Sequence, residues 1–271
     1  MTESVKRLFY YLYVTIIIYK IKRGGIFMVA IKTIDLCKQY KDVTAVNNLN
    51  LEINEGELFA LLGVNGAGKT TVIKMLSCLT KPTKGDAVIC GNSIQEDAKQ
   101  VKRLLGVSPQ ETAVAPNLSV EENLELICGI HGFNKDRTKE KIKELAGRFF
   151  LDSVMKKKAG KLSGGWQRRV SIAMALISEP KVLFLDEPTT GLDPSTRESV
   201  WNTLKKLQRE MDMTIFLTTH YMEEAARANH IAIMDKGHLV QYGTPFSLKE
   251  QFAKDRLLLV PREEHKEDVI Q

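Results

Sequence analysis

The sequence is poor in cysteine, and its four thiols, Cys37, Cys78, Cys90 and Cys128, stand far apart with no CxxC pair. That spacing disfavours a zinc site and a secreted disulfide scaffold, so the expectation is four reduced thiols. Long apolar runs are also missing. The uncharged stretch Leu8–Tyr19 covers 12 residues, whereas a helix crossing a bilayer needs ~20, so any pore belongs to another polypeptide. No internal repeat or low-complexity linker is found. Net positive charge is scarce outside one end. Of the formal net charge of +6, residues 1–27 carry Lys6, Arg7, Lys20, Lys22 and Arg23 against Glu3 alone, a local +4 that leaves +2 for the rest. So small a surplus makes no case for a nucleic-acid partner.

What is present is the composition of a globular protein, 44% hydrophobic and 27% charged over 271 residues, enough chain for one large core. The first 27 residues look foreign to it, holding four of the seven tyrosines (Tyr10, Tyr11, Tyr13 and Tyr19). Lys6 and Arg7 would suit a signal peptide, yet no small-residue cleavage site follows. An interfacial anchor is a further alternative. Arg23, Gly24 and Gly25 can be encoded by a G-rich purine run of the kind that precedes bacterial start codons, and Met28 follows shortly after. The expectation is that translation starts at Met28 and that residues 1–27 are a leader read from upstream DNA.

From Met28 the pattern is β-rich. VAIKTIDL (29–36) and NNLNLEI (47–53) alternate as strands, and ELFALL (57–62) is a continuous apolar run suited to the middle of a sheet. A helix is expected over Lys69–Leu79, then a strand in DAVIC (86–90) and a buried strand in LLGVSPQ (104–110) ending at Pro109. Residues 116–178 read as helices. Ser119 and Glu122 make a capping box, Lys135–Phe150 is amphipathic and charged, and a further helix runs over Gly164–Ser178. Alternation then returns with strand VLFLDE (182–187), helix Pro194–Glu210, strand TIFLTT (214–219) and helix Tyr221–Asn229. HIAIMD and HLVQYG form a hairpin turning at Asp235–Gly237. The fold class is therefore α/β, a parallel sheet with a helical insertion. RLLLVPREEHKEDVIQ (256–271) begins as a strand and turns helical, the expected start of a small appendage that is incomplete here.

Three stretches carry chemistry. GVNGAGKT (63–70) fits GxxxxGK[ST] between a buried strand and a helix. Its glycines let backbone N–H groups wrap phosphates, Lys69 supplies a point charge, and the Thr70 hydroxyl suits Mg²⁺. VLFLDEP (182–188) ends an apolar strand in two carboxylates that point to opposite sides, so Asp186 can serve a magnesium shell while Glu187 orients or deprotonates a water. KLSGGWQRRV (161–170) opens a helix at Ser163 with the wrong charge. A helix N-terminus attracts acid, yet this one has Lys161 before it and Arg168 and Arg169 after it.

In this order GVNGAGKT, LSGGWQRR, VLFLDEP, GLD and LTTH resemble the nucleotide-binding subunit of ATP-binding cassette (ABC) transporters, over about Met28 to Phe252. DEPTTGLDP and THYMEEA look most like the single-domain ATPases of drug and other export systems. The resemblance implies a P-loop NTPase with a mainly parallel RecA-like sheet, an antiparallel β subdomain and a helical subdomain at about 112–178. On this division residues 28–252 form the ATPase domain and 253–271 an extension. It implies that Tyr40 stacks on adenine while Gly63, Val64, Asn65, Gly66, Ala67, Gly68, Lys69, Thr70 and Thr71 hold the rest of ATP. Thr70, Gln110 and Asp186 would hold Mg²⁺, and Glu187, His220 and Gln110 would act on the attacking water and γ-phosphate. Asp193 suits an N-cap before Pro194, and by resemblance it also faces a second subunit. Ser163, Gly164 and Gly165 would then receive the ATP of that second copy, which supplies the negative charge the helix start lacks.

One position departs from the family pattern. Trp166 stands where LSGGQ has its final glutamine. The implied activity is ATP hydrolysis by a head-to-tail dimer, peripheral on the cytoplasmic face of the membrane, driving transport through an integral membrane permease, with export by resemblance. The alternative is an ABC-type ATPase acting on ribosomes or DNA, which usually joins two cassettes or inserts a long coiled coil; neither is seen. A P-loop kinase or GTPase leaves LSGGW without a role and lacks NKxD, and a non-catalytic cassette would have lost Glu187 or His220.

Overall fold

A computed structural model describes residues 28–252. The expectations for the leader (1–27) and for the strand-then-helix of 256–271 lie outside the described residues. Among the described residues no helix is long and apolar enough to cross a membrane.

Two sheets organise the chain. The first is antiparallel and contains β1 (Val29–Tyr40), β2 (Val43–Leu49), β3 (Glu52–Asn54), β5 (Lys84–Ile89) and β6 (Asn92–Ser93), in the order β2-β1-β5-β6 with β3 also on β1. The second contains β4 (Leu58–Leu62), β7 (Leu105–Ser108), β8 (Val182–Asp186), β9 (Thr214–Thr219), β10 (His230–Asp235) and β11 (His238–Gly243). Its order is β11-β10-β4-β9-β8-β7, and only the β10–β11 hairpin is antiparallel. This is the expected mainly parallel sheet with an antiparallel β layer beside it.

The continuous apolar strands are explained by cover on both faces. Along β4, Leu58, Ala60 and Leu62 pack into one core while Phe59 and Leu61 pack into the other. Phe184 of β8 and Phe59 of β4 flank Phe216 of β9, with ring centroids 5.4 and 5.0 Å from it. Each such buried side chain contributes roughly 1.5–3 kcal/mol.

Eight α-helices complete the described chain: α1 (Lys69–Leu76), α2 (Ala98–Leu104), α3 (Val120–Ile130), α4 (Lys135–Phe149), α5 (Gly164–Ala175), α6 (Pro194–Met211), α7 (Met222–Ala225) and α8 (Pro245–Phe252). The helices α3, α4 and α5 lie between β7 and β8, as the helical insertion requires. The capping box is present, Glu122 N–H donating to Ser119 Oγ at 3.1 Å and Ser119 N–H to Glu122 Oε2 at 2.7 Å.

Differences from the sequence reading have local causes. NNLNLEI is not one strand: Asn48 takes φ +50°, and Asn50 exchanges 2.9 Å hydrogen bonds with Asp35 at the break between β2 and β3. The first helix stops at Leu76 instead of Leu79, because the Ser77 hydroxyl donates back to Ile73 O at 2.7 Å and Cys78 turns left-handed at φ +56°. The helix expected over Tyr221–Asn229 shortens to α7 because Asn229 pairs with β4, its N–H donating to Leu58 O at 2.7 Å and its side chain accepting from Leu58 N–H at 2.9 Å. The helices α2 and α8 were not anticipated.

Candidate functional site

The parallel strands β4, β9, β8 and β7 bring their C-terminal ends to one edge, where ligands of open α/β sheets bind. Register does the alignment: Leu62 pairs with Thr219, Asp186 with Thr218, and Ser108 with Leu185. The loops that follow carry Gly63–Gly68, Gln110, Glu187 and His220.

The cleft at this edge measures about 620 Å³ and is lined by Asn65, Gly66, Gly68, Lys69, Thr70, Thr71, Gln110 and Glu187, with Val43, Thr44, Ala45 and Lys236 on the remaining side. That volume suits a nucleotide-sized ligand. The loop is built to expose amides. Ala67 N–H turns inward to Val64 O, and the first helical bond is Val72 N–H to Gly68 O, at 3.1 and 3.0 Å. The amides of Gly68, Lys69, Thr70 and Thr71 thus belong to the helix turn that lacks intrahelical acceptors, with no acidic side chain there. Only glycine fits position 68, since φ is +104° and a Cβ would lie 2.3 Å from Ala45 O. The cradle therefore fits a phosphate chain. Thr70, Gln110 and Asp186 offer oxygen donors, the chemistry a magnesium ion takes.

Glu187 is the hub of the cleft. Its carboxylate is buried and its backbone sits at φ +46°. Oε1 lies 3.3 Å from the Lys69 ammonium, while Oε2 accepts from the Thr190 hydroxyl at 3.0 Å and the Gln110 amide at 3.3 Å. His220 Nδ1 is also 3.3 Å from Oε2, but off the angle of a hydrogen bond, and this buried ring nitrogen has no other partner. Lys69 further donates to Gly63 O and Val64 O at 2.7 and 3.2 Å. Asp186 is joined to this centre through Thr218, whose hydroxyl donates to Asp186 Oδ1 at 2.6 Å and accepts from Glu187 N–H at 2.9 Å.

The helix that opens at Ser163 lies outside the cleft lining. Ser163 and Gly164 are exposed, the Ser163 hydroxyl makes no capping bond, and the first turn of α5 holds no acid. Gly165 is buried instead: a Cβ there would lie 2.3 Å from Thr196 Cγ2 at the start of α6. Asp193 caps α6, accepting from Thr196 N–H at 3.0 Å, and hydrogen bonding from Thr196 holds its carboxyl below the usual range. Trp166 is half-buried against the core, with the Arg169 guanidinium 4.9 Å from its ring centroid.

Tyr40 does not line the cleft. The residue is exposed and the Lys38 ammonium stands 4.9 Å from its ring centroid; Val43, its register partner across the β1–β2 turn, lines the cleft instead. Sequence reasoning missed Val43–Ala45, Lys236, Thr190, Thr218 and Arg168. Arg168 is buried and donates to Pro109 O at 2.6 Å and to Gln110 O, so it secures the loop carrying Gln110. Burial lowers its pKa, and the charge of Asp186 acts against that shift. No local signal marks it, because its acceptors lie 58 and 59 residues away in the chain.

Comparison with known proteins agrees with this geometry. A family profile described as "ABC transporter" matches residues 46–190, and one described as "AAA domain, putative AbiEii toxin, Type IV TA system" matches residues 158–224. The Nod factor export ATP-binding protein I of Cupriavidus metallidurans is 42% identical over 212 residues, 78% of this chain and 70% of that protein. The daunorubicin resistance ATP-binding protein DrrA3 of Streptomyces coeruleorubidus is 39% identical over 227 residues, 83% of this chain and 72% of that protein. Among solved structures, the dimeric post-hydrolysis state of the ATP-binding cassette MJ0796 bound to ADP and Pi superposes with a TM-score of 0.73 at 30% identity, covering 79% of this chain and 98% of that one. The chain belongs to the ABC transporter family, as an ATP-binding and ATP-hydrolysing cassette.

Proposed function

We propose that this cassette powers export of a drug-like or amphiphilic solute through a separate integral membrane permease, working as a head-to-tail dimer with two ATP molecules between the copies. The observation that carries the dimer is the bare start of α5, with exposed Ser163 and Gly164, an uncommitted Ser163 hydroxyl and no acid in the first turn. Such an end attracts a phosphate, yet it lies outside this chain's own cleft lining. The dimeric cassette bound to ADP and Pi supports the same reading. The export direction rests on the names of the two relatives.

The chemistry follows from the hub. Amides of residues 68–71 and Lys69 grip the β- and γ-phosphates, so Lys69 turns from Glu187 toward the nucleotide and releases that carboxylate. Glu187, held by Thr190 and Gln110, then orients and deprotonates the attacking water. His220, whose ring nitrogen lacks a partner, faces the γ-phosphate. Thr70, Asp186 and Gln110 would hold Mg²⁺, which supplies charge neutralisation on the β- and γ-oxygens. Asp193 and Ser163–Gly165 engage the second copy. Val43, across the β1–β2 turn from Tyr40, lines the side of the cleft where the base is expected and offers it an apolar contact. Closure of the dimer moves the helical insertion and with it the permease, which positions the chain peripherally on the cytoplasmic face.

The test is co-expression with candidate membrane proteins, tracking ATP-dependent movement of a fluorescent amphiphile across the membrane of inverted vesicles. Export predicts uptake into inverted vesicles that stops with Lys69→Ala. Flux in the opposite direction would overturn the export reading.

A further inference from the structure

Glu224 of α7 is a carboxylate the sequence reading left without a task, and it is 3% exposed. Its neighbours come from three separate stretches. Oε1 accepts from the Thr189 hydroxyl at 2.5 Å, two residues beyond Glu187, and lies 3.5 Å from Arg197 Nε in the first turns of α6. Oε2 accepts from the Thr219 hydroxyl at 2.8 Å, and the same hydroxyl oxygen accepts from Tyr221 N–H at 3.0 Å, so the bonds bracket His220 on both sides. Arg197 in turn donates to Leu192 O at 3.3 Å, next to Asp193, and its guanidinium lies 4.9 Å from the Tyr221 ring centroid. The Tyr221 ring is 3.9 Å, centroid to centroid, from that of His220.

A buried carboxylate is retained at a cost unless hydrogen bonds and a counter-charge compensate it. Here the compensation comes from Thr189, Arg197 and Thr219, each within a few residues of Glu187, Asp193 or His220. Arg197 Nε is itself buried without a hydrogen bond, and so is His220 Nδ1. His220 Nδ1 makes no hydrogen bond of its own, so the placement of its ring depends on the residues on either side, Thr219 and Tyr221, which this network ties down.

We infer that Glu224 is a positioning residue for ATP hydrolysis: it holds the His220 ring in line with Glu187 and fixes the turn bearing Asp193 relative to it. It touches no substrate and acts through Thr189, Thr219 and Arg197. This rests on the proposed role of His220. Misplacing a catalytic group by about 1 Å costs on the order of 10²-fold, so loss of the anchor is expected to lower turnover by about ten- to hundred-fold.

The experiment compares the full-length wild type with Glu224→Gln, which keeps the shape and removes the charge, and with Arg197→Lys, which keeps a charge and removes the fork. Measured are kcat and KM for ATP, nucleotide affinity, melting temperature, and the ring resonances of histidine-labelled protein, with His220 assigned from His220→Asn. The expected result for both variants is a kcat lowered about ten- to hundred-fold at nucleotide affinity within about twofold, together with a shift of the His220 resonance while His131, His230 and His238 stay in place. An unchanged kcat, an unmoved His220 signal, or a general collapse of melting temperature with every histidine displaced would each overturn the inference. A wild type that hydrolyses no ATP would instead sink the reading it rests on. If Glu224→Gln does not fold, Arg197→Lys alone decides, under the same criteria.

Discussion

Gly68→Ala tests the cradle at its tightest point. Position 68 caps α1 at φ +104° and ψ −1°, and a Cβ there would stand 2.3 Å from Ala45 O on β2. Placing an L-residue in the left-handed region costs about 1–2 kcal/mol. The contact adds about 1–3 kcal/mol, the usual cost of overpacking, because the obstacle is a backbone carbonyl of a paired strand and no rotamer relieves it. The sum is about 2–5 kcal/mol. Gly91→Ala is the matched control: its φ is +82°, but nothing lies within 4 Å of the added carbon, and it does not line the cleft. It should lose only the conformational part. For a domain of this size each kcal/mol lowers the melting temperature by roughly 2–4 °C. Calorimetry without nucleotide should therefore find Gly68→Ala less stable than Gly91→Ala by at least about 1 kcal/mol. ATP titration should find affinity lost in the first and unchanged in the second. Equal stability in the two variants would refute the steric argument, and wild-type ATP affinity in Gly68→Ala would refute the cradle.

Three further outcomes follow from the geometry. Arg168→Met strands Pro109 O and Gln110 O, so stability should fall by about 2–4 kcal/mol in denaturant titration, and kcat should fall more than ATP affinity. Gly164→Glu places a carboxylate at the exposed start of α5, where the nearest obstacle to a Cβ is Leu192 Cδ2 at 3.9 Å; single-chain ATP binding should survive within about twofold while ATP-driven dimerisation disappears. Burial opposes the charge of Lys141, but Glu144 at 2.7 Å and Glu179 at 2.6 Å outweigh it and raise its pKa above the ordinary lysine value. A raised folded pKa gives stability that is complete at neutral pH and lost as pH climbs through that raised value; Lys141→Met should flatten the alkaline limb of the stability curve, and an unaltered limb would count against the ion pairs.

Much of this was legible from the sequence where the cause is local. The Ser119–Glu122 box, the Asp193 cap and the glycine turn that opens α1 each depend on residues a few positions apart, and the structure has all three. The parallel strands were legible because burial on both faces leaves a continuous apolar run. What escaped is tertiary. Thr218 works by bridging Asp186 and Glu187 from the neighbouring strand, and Arg168 and Glu224 work through partners from other loops. Ser163 opens α5 as read, yet its hydroxyl makes no capping bond, which the sequence alone does not reveal. Tyr40 was expected against the base, but its strand ends with the residue exposed and its ring beside Lys38. Such a position is set by the β1–β2 turn, which propensity does not resolve.

The claim at the centre is that Glu187 activates water in a site completed by a second copy's α5. Glu187→Gln keeps the shape of the hub but removes the base. In light scattering coupled to size exclusion with Mg-ATP, the variant should run as a stable dimer that holds ATP unhydrolysed, and as a monomer without nucleotide. A variant that stays monomeric at saturating ATP, or turns over at the wild-type rate, would contradict it.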